Sequence, residues 1–150
     1  MGTDMRRGIT TLFAVAPLVF GVAACGDDDD DDDGGSADTA IAAAMEEFQF
    51  TPTDWTVAAD QEITIDLENN GSVEHEWVIL QPGVTISSEA DLPETEEELL
   101  ADFVYWEDEV EPGDSKTLTF TAPEAGTYQV ICAIEDHFDA GMEGTLTAEG

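Results

Sequence analysis

Basic side chains are nearly missing from this chain. Three lysines and arginines stand against 36 aspartates and glutamates, giving a formal charge of −33. That balance excludes nucleic acid as a partner, because such binding rests on lysine and arginine contacts to phosphate. Histidine is scarce as well: His75 and His137 are the two present, and no third remains to serve as a general acid or base. Cysteine is limited to Cys25 and Cys132. The sequence also has no glycine-rich phosphate loop, nucleophile elbow or HExxH motif, so the common enzyme signatures are absent. Its long apolar run, residues 8–24, is short for a membrane span and is weakened by Pro17 and two threonines.

That run reads better as part of an export signal. Arg6 and Arg7 precede it, and it ends in Val22-Ala-Ala-Cys25. A basic start, an apolar core and small residues before a cleavage point describe a signal peptide. The ending resembles a bacterial or archaeal lipobox, which makes Cys25 the expected lipidated first residue of the mature protein; a plain buried or disulfide-bonded cysteine is the alternative. Arg6-Arg7 also leaves a twin-arginine route open, although the residues after it match that pattern poorly. Residues 1–24 are thus assigned to the signal. Gly26, seven consecutive aspartates (residues 27–33) and a Gly-Gly-Ser-Ala run follow. Like charges flanked by glycine bury no apolar surface, so residues 25–40 are expected to be a disordered acidic tether. Such a tether reaches roughly 50 Å at ~3.3 Å per residue. The aspartates lack the spacing of a calcium loop. Removing the signal leaves Lys116 as the single basic side chain. The acid is spread along the chain, which favours concentrated salt as its working medium, where self-repulsion is screened; attraction of a basic partner is the other reading.

From residue 41 to residue 150 the pattern is that of one β domain. Ile63, Ile65 and Leu67 alternate with Glu62, Thr64, Asp66 and Glu68, as in a half-buried strand. Residues 73–80, 117–121 and 127–132 and a last strand around Leu146 are separated by Asn-Gly, Pro-Gly and Ala-Gly turns. Short strands so punctuated predict an all-β sandwich. Residues 91–103 depart from the pattern: Thr95 and Glu98 have capping-box spacing, and Leu99, Leu100 and Phe103 fall on one helical face. One short helix in a long inter-strand connection is expected there.

Four residues carry the chemistry: His75, Cys132, His137 and Met142. The last three lie in a C-x4-H-x4-M run after a predicted strand. Strand parity puts His75 on one face with Val73, Trp77 and Ile79, and Cys132 with Tyr128 and Val130, so both point inward with apolar neighbours. Each alone has an ordinary explanation: a buried thiol, a hydrogen-bonded core histidine, a loop histidine, a gap-filling methionine. Together, two imidazoles, a thiolate and a weak thioether are the ligands of a mononuclear blue-copper site, and the thioether favours copper over zinc. A dinuclear centre needs a second cysteine near Cys132, and there is none.

The stretch from Glu46 to Gly150 resembles the cupredoxins, especially the small plastocyanin- and halocyanin-like blue copper proteins. The resemblance is carried in order by Phe48 to Pro52, Ile63 to Ile65, Asn70 to Trp77, Gly126 to Tyr128, Cys132, His137 and Gly141 to Leu146. It implies a Greek-key sandwich with one type 1 copper at one end. His75, His137 and Cys132 are then the equatorial ligands and Met142 the axial one. It also implies an electron carrier rather than an enzyme, with an exposed His137 edge as the electron port and an apolar docking rim of Phe138, Ala140 and Gly141. Its partners are then a redox donor and acceptor, and the protein is expected to be a monomer. With the Cys25 lipid anchor, it is expected on the extracytoplasmic face of the membrane. Copper handling at the cell surface, or a metal-free interaction module on the same frame, are the rival functions. Two positions depart from the family: Glu135-Asp136 stand where Pro-Gly often precedes the second histidine, and Asp60 stands at a turn that often carries glycine.

Overall fold

The computed structural model describes residues 37–150. The signal segment, Cys25 and the aspartate run lie outside these residues. Among the described residues no helix is long and apolar enough to cross a membrane. Strand pairing begins early: Asp38 bridges to Val57, and the first strand opens at Ala40.

Among the described residues, nine strands form two sheets. They are β1 (Ala40–Glu46), β2 (Gln49–Thr51), β3 (Asp54–Ala58), β4 (Glu62–Asn69), β5 (His75–Leu80), β6 (Val104–Val110), β7 (Ser115–Thr121), β8 (Gly126–Ile131) and β9 (Glu143–Glu149). One sheet has the order β2-β1-β4-β7 and the other β3-β9-β8-β5-β6. The pairs β1–β4 and β3–β9 are parallel, and the rest are antiparallel. The all-β sandwich expected from the sequence is what the chain forms.

The core follows from side-chain alternation. Ile63, Ile65 and Leu67 of β4 face Trp77 and Ile79 of β5, Val130 of β8 and Leu146 of β9 between the sheets. Burying such side chains stabilises by roughly 1.5–3 kcal/mol each before conformational entropy is charged against it. Tyr128 closes one corner, its hydroxyl donating to the Glu124 carbonyl at 2.7 Å. The turn before β4 uses Asp60 at φ 56, a left-handed conformation that aspartate tolerates better than most residues.

Strand β5 is covered on both faces. Val78 and Leu80 point away from the main core into a second cluster with Ile86, Val104, Ile131 and Phe138. The excursion between β5 and β6 supplies its lid through Val84, Leu92, Leu99 and Phe103. The expected helix in that excursion is broken into pieces. A 3-10 turn spans Glu89–Asp91, one α-helical turn spans Glu96–Glu98, and Leu99–Phe103 widens into a π turn closed by Val104 N–H donating to the Leu99 carbonyl. Thr95 caps the α turn, as its spacing predicts, accepting from Glu98 N–H at 3.3 Å. The widened turn changes which side chains share a face: Leu99 and Phe103 pack down while Leu100 is exposed. The strand expected over residues 73–80 starts at His75, and Val73 is solvent-exposed instead of sharing its inward face.

Candidate metal centre

The second sheet brings three side chains to one end of the main core. His75 opens β5, Cys132 directly follows β8, and His137 lies in the loop between β8 and β9. That loop is closed on itself by Cys132 N–H to the Met142 carbonyl (3.1 Å), Met142 N–H to the His137 carbonyl (3.1 Å) and His137 N–H to the Ile134 carbonyl (3.0 Å). The reversal inside it runs through Asp136 at φ 68. The position where the family often has glycine therefore does need a left-handed residue, and aspartate fills it.

The donor atoms converge. His75 Nδ1 lies 3.3 Å from His137 Nδ1, and Cys132 Sγ lies 3.3 Å from His137 Nδ1. All three donors are within 4.8 Å of one another, and all three residues are buried. Metal–ligand bonds of about 2.0–2.3 Å set the donors of a trigonal plane roughly 3.5–4 Å apart, so the spacing fits one first-row ion. The donor chemistry, two imidazoles and a thiol, suits copper.

Burial pushes the Cys132 thiol up to about 11, against smaller downward pulls from the backbone amides of Glu76 and Ile134. Glu76 N–H reaches the sulfur at 3.4 Å. His75 is held below the ordinary imidazole range, first by burial and then by His137, with Glu47 acting the other way. Its outer nitrogen, Nε2, is buried without a hydrogen-bond partner, against Gly71. A Cβ at residue 71 would come within 2.9 Å of that nitrogen and of Glu47 Oε1. The backbone must therefore approach closely here, which glycine alone permits.

Met142 is fully buried in the same apolar cluster as Cys132 and Trp77. His137, whose edge is expected at the surface, is instead buried, with 7% of its surface accessible, and Phe48 packs edge-on against it with centroids 5.0 Å apart. Phe48 is itself 40% exposed. Phe138, expected on an apolar rim, is turned into the second cluster instead; Ala140 and Gly141 do lie at the surface.

Sequence reasoning missed the residues that brace the site. Asn69 is buried and fully engaged: its amide nitrogen donates to the carbonyls of Val73 (2.8 Å) and Val110 (2.7 Å), and its oxygen accepts from Gly71 N–H (2.9 Å). It thereby pins the turn leading into His75. Glu47 accepts from the backbone and the hydroxyl of Ser72 in the same turn, and those bonds hold its carboxyl down to about 2. Neither Asn69, the last residue of β4, nor Glu47 carried a sequence signal of this role.

Comparison with known proteins agrees with this architecture. A family model described as a cupredoxin-like domain matches residues 12–148. Auracyanin-B of Chloroflexus aurantiacus is 29% identical over 120 residues, covering 71% of this chain and 50% of its own length. Auracyanin-A of the same organism is 31% identical over 114 residues, covering 67% of each chain. This chain thus spans half to two thirds of the length of these curated relatives. Among solved structures, dithionite-reduced auracyanin from the photosynthetic bacterium Roseiflexus castenholzii superposes with a TM-score of 0.62 at 28% identity, over 77% of this chain and 100% of that one. Auracyanin A, described as a "blue" copper protein from a green thermophilic photosynthetic bacterium, superposes with a TM-score of 0.56 at 27% identity, over 73% and 98%. The family match takes in every strand that supplies a donor to the site, and the chain belongs to the cupredoxin-like domain family.

Proposed function

We propose that this protein is a type 1 copper electron carrier, with His75, Cys132 and His137 as equatorial ligands and Met142 as the weak axial ligand. The convergence of two imidazole nitrogens and one thiol at a buried site carries the reading. Burial of Met142 beside Cys132 supports the axial role, and the auracyanin relatives support copper. Bound copper supplies one-electron chemistry, cycling between Cu(II) and Cu(I). The protein's part would be to hold a donor set acceptable to both states and to keep water out. Strand β5 and the β8–β9 loop hold the donors, and the apolar core excludes water. Phe48, Ala140 and Gly141 around His137 offer a small, partly apolar surface suited to weak, fast-dissociating redox encounters. With the donor positions filled, no open coordination position remains for substrate, so the protein is a carrier and not an enzyme.

We further propose export, lipidation at Cys25 and tethering on the extracytoplasmic face of the membrane, supported by the sequence of residues 1–33. A redox donor and acceptor are the partners on this reading, and a monomer suits a carrier that serves both in turn. The test is the visible spectrum of the purified protein with stoichiometric Cu(II) in high salt. An intense thiolate-to-copper band, bleached by reductant and restored by oxidant, is expected; a colourless protein would sink the copper reading.

A further inference from the structure

We infer that Glu89 is a positioning residue for the metal centre: its carboxylate clamps the loop that carries His137. The inference rests on the copper reading above for its function but not for its geometry. Glu89 opens the 3-10 turn Glu89–Asp91, in the excursion between β5 and β6. Its Oε2 accepts from Asp136 N–H at 2.8 Å, and its Oε1 accepts from Phe138 N–H at 3.0 Å and, more weakly, from Asp139 N–H at 3.4 Å. In return Asp139 Oδ1 accepts from Glu89 N–H at 2.9 Å. Four bonds thus join two segments 47 to 50 residues apart, and the amides involved flank His137 on both sides.

The loop offers these amides because it cannot use them itself. His137, Ala140, Gly141 and Met142 donate to carbonyls within the loop, whereas Asp136, Phe138 and Asp139 find no backbone acceptor. With Asp136 left-handed, the free N–H groups form a concave nest of the kind that binds anions. In this chain the anion is the chain's own carboxylate. Its placement next to Asp136 and Asp139 runs against like-charge repulsion, so the amide bonds must outweigh that cost. Hydrogen bonds to an ionised acceptor are roughly twice as strong as neutral ones.

The other half of the clamp is held independently. Asp91 Oδ2 accepts from the backbone of Ser87 (2.9 Å) and Ser88 (3.2 Å), and Ser88 caps the turn through Ala90 N–H (3.3 Å). Glu89 therefore projects from a fixed turn onto the ligand loop, and no bond in the chain of contacts needs a metal. The consequence is a His137 held opposite Cys132 and His75 before copper arrives and in both of its oxidation states. A loop so fixed has little freedom to rearrange when the electron arrives or leaves.

The test compares Glu89→Ala with Glu89→Gln. Both remove the charge, but the glutamine keeps one acceptor oxygen, so a difference between them reports the bonds and not the electrostatics. In the full-length metal-free protein, amide hydrogen exchange at Asp136, Phe138 and Asp139 should speed by about tenfold or more in Glu89→Ala, with Val130 in β8 as the unmoved control. Copper release to a chelator should quicken by about 10–100-fold in the same variant. The copper(II) EPR hyperfine pattern should broaden or shift, and Glu89→Gln should recover part of each effect. Exchange and release within twofold of wild type in Glu89→Ala would overturn the inference, as would lost amide protection with unchanged copper release. If Glu89→Ala does not fold, Glu89→Gln carries the test by the same two readouts, against an unaltered Val130. A wild-type protein with Glu89-dependent amide protection but no blue band would support the clamp and reject the copper reading, so the two failures are separable.

Discussion

At the scale of single residues, the site is prepared for a cation by what its donors do with protons. Cys132 is held as a thiol far into the alkaline range by burial, whereas a metal requires the thiolate. His75 is pushed towards its neutral form by burial and by His137. At pH 8 Cu(II) capture should therefore release about one proton per ion from Cys132. Titration calorimetry in buffers of different ionisation enthalpy reads that number, and zero would mean that Cys132 is not a ligand. Glu135 and Asp136 act on the same ion from outside. Both are exposed, and their charge favours Cu(II), so Glu135→Gln with Asp136→Asn should raise the reduction potential in low salt. Asparagine keeps the tolerance for the left-handed backbone that φ 68 at residue 136 demands. Screening should shrink the shift as salt rises. An unchanged or lower potential in low salt would refute the electrostatic role.

At the scale of strands, a close approach of backbones joins the parallel pair β3–β9. A Cβ on Gly144 would fall 2.5 Å from the Thr53 carbonyl oxygen and 2.8 Å from Trp55 Cζ3, while Thr145 N–H donates to that same carbonyl at 2.8 Å. Gly144→Ala should then cost about 1–3 kcal/mol, seen as a lower Tm for the metal-free protein; a change within 1 °C would mean the pair can part freely. Strands β4, β7 and β8 were legible because alternation and turn residues coincide there. Strand β6 was not, because Glu107, Asp108 and Glu109 stand in succession and break the apolar alternation on both faces. Strand β1 is alanine-rich and has little strand propensity of its own; its parallel pairing with β4 decides it. The donor set was legible because copper demands particular atoms, and atoms of that kind are rare in this chain. The braces were not, since Glu47, Asn69 and Glu89 reach the site through tertiary hydrogen bonds that no local period records. Phe48 covers His137 for the same reason, from a loop whose sequence gives no hint of its neighbour.

At the scale of the whole molecule, the acidity is a physical load that the fold carries unevenly. Among the described residues one salt bridge offsets it, Lys116 with Asp108. Beside that pair, a cavity of about 310 Å³ is lined by Glu76, Glu107, Glu109 and Leu99. Burial first, and then Glu107 and Glu109, push the Glu76 carboxyl up to about 7. Glu107 is raised by burial and by Asp108 and Glu109, and Glu74 by burial and by Glu109 and Glu111. Each of these groups holds its proton to higher pH when folded than when unfolded. Through these groups the folded state binds more protons above the ordinary carboxylate range and loses stability as pH rises from about 4.5 to about 7, while the single lowered imidazole of His75 acts the other way below about 6.5. Glu47 has the opposite sign, but its window lies lower, between about 4.5 and about 2. Urea denaturation of the metal-free protein should thus show higher stability at pH 5 than at pH 8 in low salt. Glu76→Gln should remove much of that difference. Concentrated salt should narrow it from the alkaline side, because the like-charge part is screened while the burial part stays. Such a gain at pH 8 is what a surface adapted to brine requires. Stability at pH 8 that ignores salt would mean the carboxylates repel one another little, and the acidic face would then be better explained as the counterpart of a basic redox partner.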